Sequence, residues 1–170
     1  MTMTERLCRH DAWTTRALLV LAQDLPDESL DRAFDVGHRT LRRTFAHVVA
    51  NMECWHDLMA GRPQRAWDAS RGRPDSIANL IIRLDTVAAD LLRLATEFDT
   101  IGDADFTDYL DRPPRRKPLG AGLLHVATHG MHHRAQCLYL MRMLGVPNLI
   151  EGDALSFEAA HRGLATFPTA

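Results

Sequence analysis

Apolar residues recur at helical intervals in four long stretches of this chain, separated by proline and glycine. In the first, from about Thr4 to Gln23, Trp13, Ala17, Val20 and Leu21 share a face. Leu25-Pro26-Asp27 ends it, because proline cannot continue a helix. In the second, from about Thr40 to Ala60, Leu41, Phe45, Val48, Met52, Trp55 and Met59 repeat with helical spacing. Thr40 suits the N-cap, and Gly61-Arg62-Pro63 breaks the run. The third is the most regular: Ile77, Leu80, Ile81, Leu84, Val87, Ala88, Leu91, Leu94, Ala95 and Phe98 hold one face, and Pro74-Asp75-Ser76 supplies its start. The fourth begins near Leu119 and continues to Leu144, before Gly145-Val146-Pro147. Between the last two, Asp103 to Leu110 alternates weakly and predicts a short extended piece. Arg112-Pro113-Pro114-Arg115-Arg116-Lys117-Pro118 reads as a stiff basic loop, and Asp153 to Arg162 as a short tail helix.

The pattern predicts an all-α fold, an up-and-down four-helix bundle with long loops and a short C-terminal helix, each main helix about 30 Å long. The connections Pro26 to Arg39 and Gly61 to Asp75 exceed what a minimal bundle needs; such loops cap one end of a bundle, where a site can sit.

Composition narrows the function. With 170 residues the chain makes one domain, 1–170, with its own core. A formal net charge of -2 provides no basic field for nucleic acid or an anionic membrane, and no apolar run is long enough to span a bilayer. The polar, acidic start Met1-Thr2-Met3-Thr4-Glu5 does not read as a secretory signal. Three scattered cysteines, Cys8, Cys54 and Cys137, fit reduced thiols and a cytoplasmic location better than a disulfide framework.

The distinctive figure is nine histidines, concentrated in His125-Val-Ala-Thr-His129-Gly-Met-His132-His133-Arg134-Ala-Gln136. His129 and His133 are one helical turn apart on the same side, close enough to reach one metal ion. On the helical wheel they lie at the edge of the apolar side set by Leu119, Leu123, Val126, Gly130, Cys137 and Met141, whereas His132 and His125 face outward. Such a pair alone is common on helices. A third histidine, His47, lies on the flank of the second helix beside Thr44, Asn51 and Cys54. His47, His129 and His133 can thus supply three nitrogens from two helices and leave a fourth position for water or substrate. Taken singly, each also reads as an ordinary core or surface histidine.

These residues resemble the DinB/YfiT-like superfamily of bacterial four-helix-bundle proteins. The matching features are Trp13 in His10-Asp-Ala-Trp13, the run Thr40-Leu-Arg-Arg-Thr-Phe-Ala-His47-Val, and the fourth-helix run His129-Gly-Met-His132-His133-Arg134-Ala-Gln136 followed by Leu144-Gly145. The sequence departs from that pattern at Thr15, where asparagine is frequent, and at Ala135, where glycine is usual; neither is a ligand position. The resemblance implies a divalent metal, zinc or nickel, held by His47, His129 and His133. It also implies an enzyme that uses a low-molecular-weight thiol for S-transfer or isomerisation of a small-molecule substrate, or a hydrolase using metal-bound water. The alternative is a non-catalytic, stress-related bundle with a structural or sensory metal.

Around that centre, Arg134 and the basic loop at Arg112, Arg115, Arg116 and Lys117 are candidates for holding a carboxylate of thiol or substrate, although such residues are more often a salt bridge, for Arg134, or a solvated charge run, for the loop. Glu53, His56 and Asp57 are candidates for orienting a ligand histidine. Trp13 either lines the cleft mouth or packs. Cys54 and Cys137 read as core thiols. No nucleic-acid or membrane partner is expected, and a homodimer formed through a helix face is.

Overall fold

The computed structural model describes residues 1–65 and 75–164. Its elements are α1 (Met3–Ala22), α2 (Asp27–Leu30), α3 (Leu41–Met59), α4 (Ile77–Ile101), β1 (Asp105–Asp108), β2 (Arg115–Pro118), α5 (Leu119–Met143) and α6 (Ala154–His161). The fold is an all-α bundle carrying one small hairpin. Three of the long helices open on hydroxyl caps: Thr2 accepts from the Glu5 amide, Thr40 from Arg43 and Ser76 from Asn79. Asp153 caps α6 in the same way. Pro74 and most of the connection between α3 and α4 lie outside the described residues.

The long helices form a ring in which α1 and α3 each pack against both α4 and α5, so α1 and α3 sit on a diagonal. Contacts fix the directions. Thr4 meets Asp99 and Arg16 meets Asp85, so α1 and α4 are antiparallel. His47 lies beside His133 and Trp55 beside His125, so α3 and α5 are antiparallel. Gly122 abuts Met59 and Gly120 abuts Phe98, which brings the C-terminal ends of α3 and α4 to the same end of the bundle. The helices therefore run up, down, down, up: the all-α bundle is as expected, but the alternating up-and-down order is corrected, because α3 and α4 are parallel neighbours. The end of α3 and the start of α4 thus lie at opposite ends of the bundle. After α3 the chain turns at Gly61, whose positive φ is 62°, and is tied down where Gln64 Nε2 donates to the Cys54 carbonyl at 3.2 Å.

The core lies along the bundle axis, with Leu18, Leu19, Phe45, Val49, Leu80, Leu84, Leu123 and Met141 fully buried. A charged network joins α3, α4 and the residues flanking them: Arg83 bridges Glu53 at 2.5 Å and Asp75 at 2.5 Å, and Arg65 bridges Asp57 at 2.9 Å. The basic stretch expected to be a loop is half strand. Arg115–Pro118 pairs antiparallel with Asp105–Asp108, placing Phe106 opposite Lys117. The short extended expectation gains its partner this way, because Phe106 can be buried only once β2 covers its backbone, and Lys117 Nζ neutralises buried Asp108 at 2.6 Å.

Arg134 belongs to the interior. It is 4% exposed, and its guanidinium donates to Asp11 and, at 3.3 Å, to Thr15 Oγ1, tying α5 to α1. Gly130 makes room for the pair, since a Cβ there would strike both Asp11 and Arg134. Burial pushes the Asp11 carboxyl up and Arg134 pulls it back. The candidate carboxylate clamp is thus a structural ion pair. Arg134→Ala is expected to cost about 3–5 kcal/mol of stability by stranding Asp11, measured by urea unfolding, and the double change Asp11→Leu/Arg134→Met to recover most of the loss.

Candidate metal centre

The antiparallel seam between α3 and α5 sets the site. His47 projects from the flank of α3, one turn beyond the first buried layer, toward the α5 ridge formed by His129 and His133. The His47 ring lies 5.0 Å from the His129 ring and 4.6 Å from the His133 ring, and His129 and His133 are 4.5 Å apart. His47 Nε2 and His129 Nε2 face each other at 3.2 Å. Two nitrogens on a tetrahedral zinc, each about 2.0–2.1 Å from it, stand about 3.3–3.4 Å apart, so that separation is already the edge of a metal tetrahedron.

A further ring comes from outside the long helices. His38, on the loop between α2 and α3, lies 3.8 Å from the His47 ring and 5.2 Å from that of His133. Donor atoms of His38, His47 and His133 all fall within 4.8 Å of one another, a set that could hold a metal ion. His129, the third residue expected from the sequence, is outside that set and adjoins it through the Nε2–Nε2 contact with His47. His38 was not legible from spacing, because it stands in an aperiodic loop with Gly37 and Arg39 in left-handed conformation on either side, at φ 49° and 69°. The one available signal was its place two residues ahead of the Thr40 cap.

Gln136 is the second residue that spacing did not single out. Its Oε1 accepts from His133 Nδ1 at 2.8 Å, which puts the proton on Nδ1 and leaves the Nε2 lone pair free. Its amide nitrogen lies 3.1 Å from His132 Nε2, and its side chain abuts Gly37. One amide therefore orients a cluster histidine and seats the loop that carries His38.

The electrostatics favour neutral rings. Burial, reinforced by the surrounding histidines, lowers His47 to about 3 and His129 to about 4. Burial also lowers His38 and His133. The interactions that shift His47 and His129 come from other histidines, with no carboxylate among them. His129 Nδ1 is buried without a hydrogen-bond partner. An all-imidazole set of neutral donors suits a borderline divalent ion such as zinc or nickel rather than calcium or magnesium.

The other candidates lie elsewhere. His132 is exposed, as the wheel indicates. His125 is also exposed, but its ring rests 4.5 Å from Trp55 and 5.5 Å from His129, at the rim of the cleft. Glu53 and Asp57 are engaged by Arg83 and Arg65, and His56 Nδ1 sits 3.2 Å from Asp57, so these face the α3–α4 network. Trp13 packs on Phe157 at 5.7 Å and lines a groove of about 280 Å³ between α1, α4 and α6, away from the imidazoles. In the basic hairpin, Lys117 is held by Asp108 and Asp111, while Arg112, Arg115 and Arg116 are exposed. Burial pushes the thiols of Cys8, Cys54 and Cys137 up, Cys8 to about 12, which disfavours thiolate chemistry at any of them.

Compared with known proteins, residues 1–161 match the family model described as DinB family. No curated protein matches the chain. Among the described residues no helix is long and apolar enough to cross a membrane.

The depressed imidazoles make a signed prediction for the metal-free protein. Below the unfolded value near 6.5 the unfolded chain binds protons that the folded cluster refuses. The stabilisation is therefore complete above about pH 6.5 and is lost as pH falls toward 4. Urea midpoints of the metal-free wild type should fall more between pH 7 and pH 5 than those of His47→Gln/His129→Gln.

Proposed function

Because the chain belongs to the DinB family, we propose that it is a metal-dependent enzyme whose centre is held by His47, His129 and His133. The single observation behind this reading is the meeting of those rings in the α3–α5 seam, with His47 Nε2 and His129 Nε2 at 3.2 Å. A zinc or nickel ion held by neutral imidazoles keeps its whole charge and acidifies a thiol or water that shares it. The rest of the chemistry is prepared by the chain. Burial keeps His47 and His129 unprotonated at neutral pH, so their lone pairs are available. Gln136 holds the proton of His133 on Nδ1. Trp55 and His125 stand side by side along the same seam, where a small electrophile would approach the centre.

The reaction class we favour draws support from what the chain lacks as well as from the family. With no cysteine poised as a nucleophile, the attacking group has to be brought in, either as a low-molecular-weight thiol for S-transfer or isomerisation, or as water for hydrolysis. A second reading, a stress-related bundle whose metal is structural or sensory, draws support from His38, which offers the cluster more imidazoles than an open catalytic site needs.

Elemental analysis of protein purified without an immobilised-metal column should find about one zinc or nickel per chain. His47→Ala and His133→Ala should abolish it, and wild-type content in both would end the metal reading. Gln136→Leu should weaken metal binding by about 10–100-fold in a chelator competition while the ion count at saturation stays the same. Metal-loaded protein should accelerate conjugation of monochlorobimane with bacillithiol, mycothiol or glutathione, or hydrolysis of an activated ester. Equal rates with and without metal would favour the structural or sensory role.

A further inference from the structure

We propose that His38 is a fourth protein ligand, a loop-borne imidazole that occupies the remaining coordination position until an incoming thiol or water displaces it. The inference rests on the metal reading above and goes beyond its three helix-borne ligands.

Position is the first ground. The His38 ring is 3.8 Å from that of His47, with a 30° tilt between them, and its donor atoms share a 4.8 Å sphere of separations with those of His47 and His133. His129 Nε2, 3.2 Å from His47 Nε2, stands beside this trio rather than within its 4.8 Å separations, and would complete a tetrahedral set of four imidazoles by turning toward it.

The second ground is that the loop is built to hold this ring in place. At its base Arg42 on α3 binds both Asp27 and Asp31, its Nε meeting Asp31 Oδ1 at 2.8 Å. The Phe34 amide donates to the Arg39 carbonyl at 2.7 Å, and the Arg39 amide donates to the Val36 carbonyl at 2.9 Å, closing a tight turn around residue 38. Arg39 adopts φ 69°, a conformation that costs a non-glycine residue energy and persists only where surroundings impose it. At the tip, Gly37 lies against the Gln136 side chain, and any Cβ there would collide with it. The amide that orients His133 thus also positions the neighbour of His38.

Displaceability comes from the difference in support. His47, His129 and His133 stand on long helices packed into the core, whereas His38 stands on a loop whose residues 35, 37 and 39 are exposed. Moving His38 requires a few loop dihedrals to change. The other rings can turn only about their own side-chain bonds, because their backbones are fixed in helices.

The test uses the full-length protein loaded with Co²⁺, whose visible bands report coordination, and compares wild type with His38→Gln, His47→Gln and His133→Gln. Circular dichroism and melting of the metal-free forms serve as controls for folding. For His38→Gln the expected result is a retained single Co²⁺ site, affinity lowered by at least about tenfold, altered bands, and tighter binding of added 2-mercaptoethanol to the ion than in wild type. Wild-type affinity, spectrum and thiol binding in His38→Gln, with binding lost in His47→Gln and His133→Gln, would overturn the role of His38 and leave the three-histidine centre intact. Unchanged Co²⁺ binding in all three variants would overturn both.

Discussion

The structure depends on a cluster of uncharged imidazoles held between two antiparallel helices. Two protonated rings 4.6 Å apart at an effective dielectric constant of about 20 would repel by about 3–4 kcal/mol, and the cluster holds several such pairs. The fold therefore tolerates these histidines only in the neutral form. The Nε2 atoms of His47 and His129 then face each other at 3.2 Å, with at most one proton between them. In a bundle core such crowding has no packing advantage over leucine. It makes physical sense as a receptor for a cation.

The arrangement of helices makes the crowding possible. Since α1 and α3 are diagonal, the chain between them must cross one end of the bundle, and that crossing carries α2 and the His38 loop to the first turns of α3. Since α5 is antiparallel to α3, the middle of its length, where His129 and His133 stand, faces the first half of α3, where His47 stands. The other charged groups are used to hold this frame. Asp11 with Arg134 ties α1 to α5, and Glu53, Asp57, Arg65 and Arg83 tie α3 to α4. The Asp11–Arg134 pair matches buried charge with buried charge, whereas the shifts of His47 and His129 come from burial and from other histidines.

Much of this was legible in the order of residues. Apolar periodicity, hydroxyl caps and proline stops place the long helices within a residue or two of their observed ends, except that α4 runs on to Ile101. His47, His129 and His133 could be picked out because each stands on a regular helix, where position along the chain fixes direction in space. The residues left with two readings share one cause. Arg134 sits beside His133 in sequence, yet a single helical step turns it to the other side of α5, where Asp11 waits on a helix more than a hundred positions away. Trp13 shares the apolar face of α1, and only the docking of α6 shows that this part of the face meets Phe157 rather than the cleft.

What the amino-acid order settled alone is whatever depends on local geometry: helix, stop, cap and the face each side chain occupies. These follow from a fixed rotation per residue and need no partner. What only the tertiary structure decided is which faces meet and where the irregular segments go. The parallel run of α3 and α4, the strand made from a basic stretch, the Gln136 amide behind His133 and the arrival of His38 all depend on contacts between segments far apart in the chain. In a loop no fixed rotation relates residue number to direction, so nothing before folding marks His38 as a neighbour of His47.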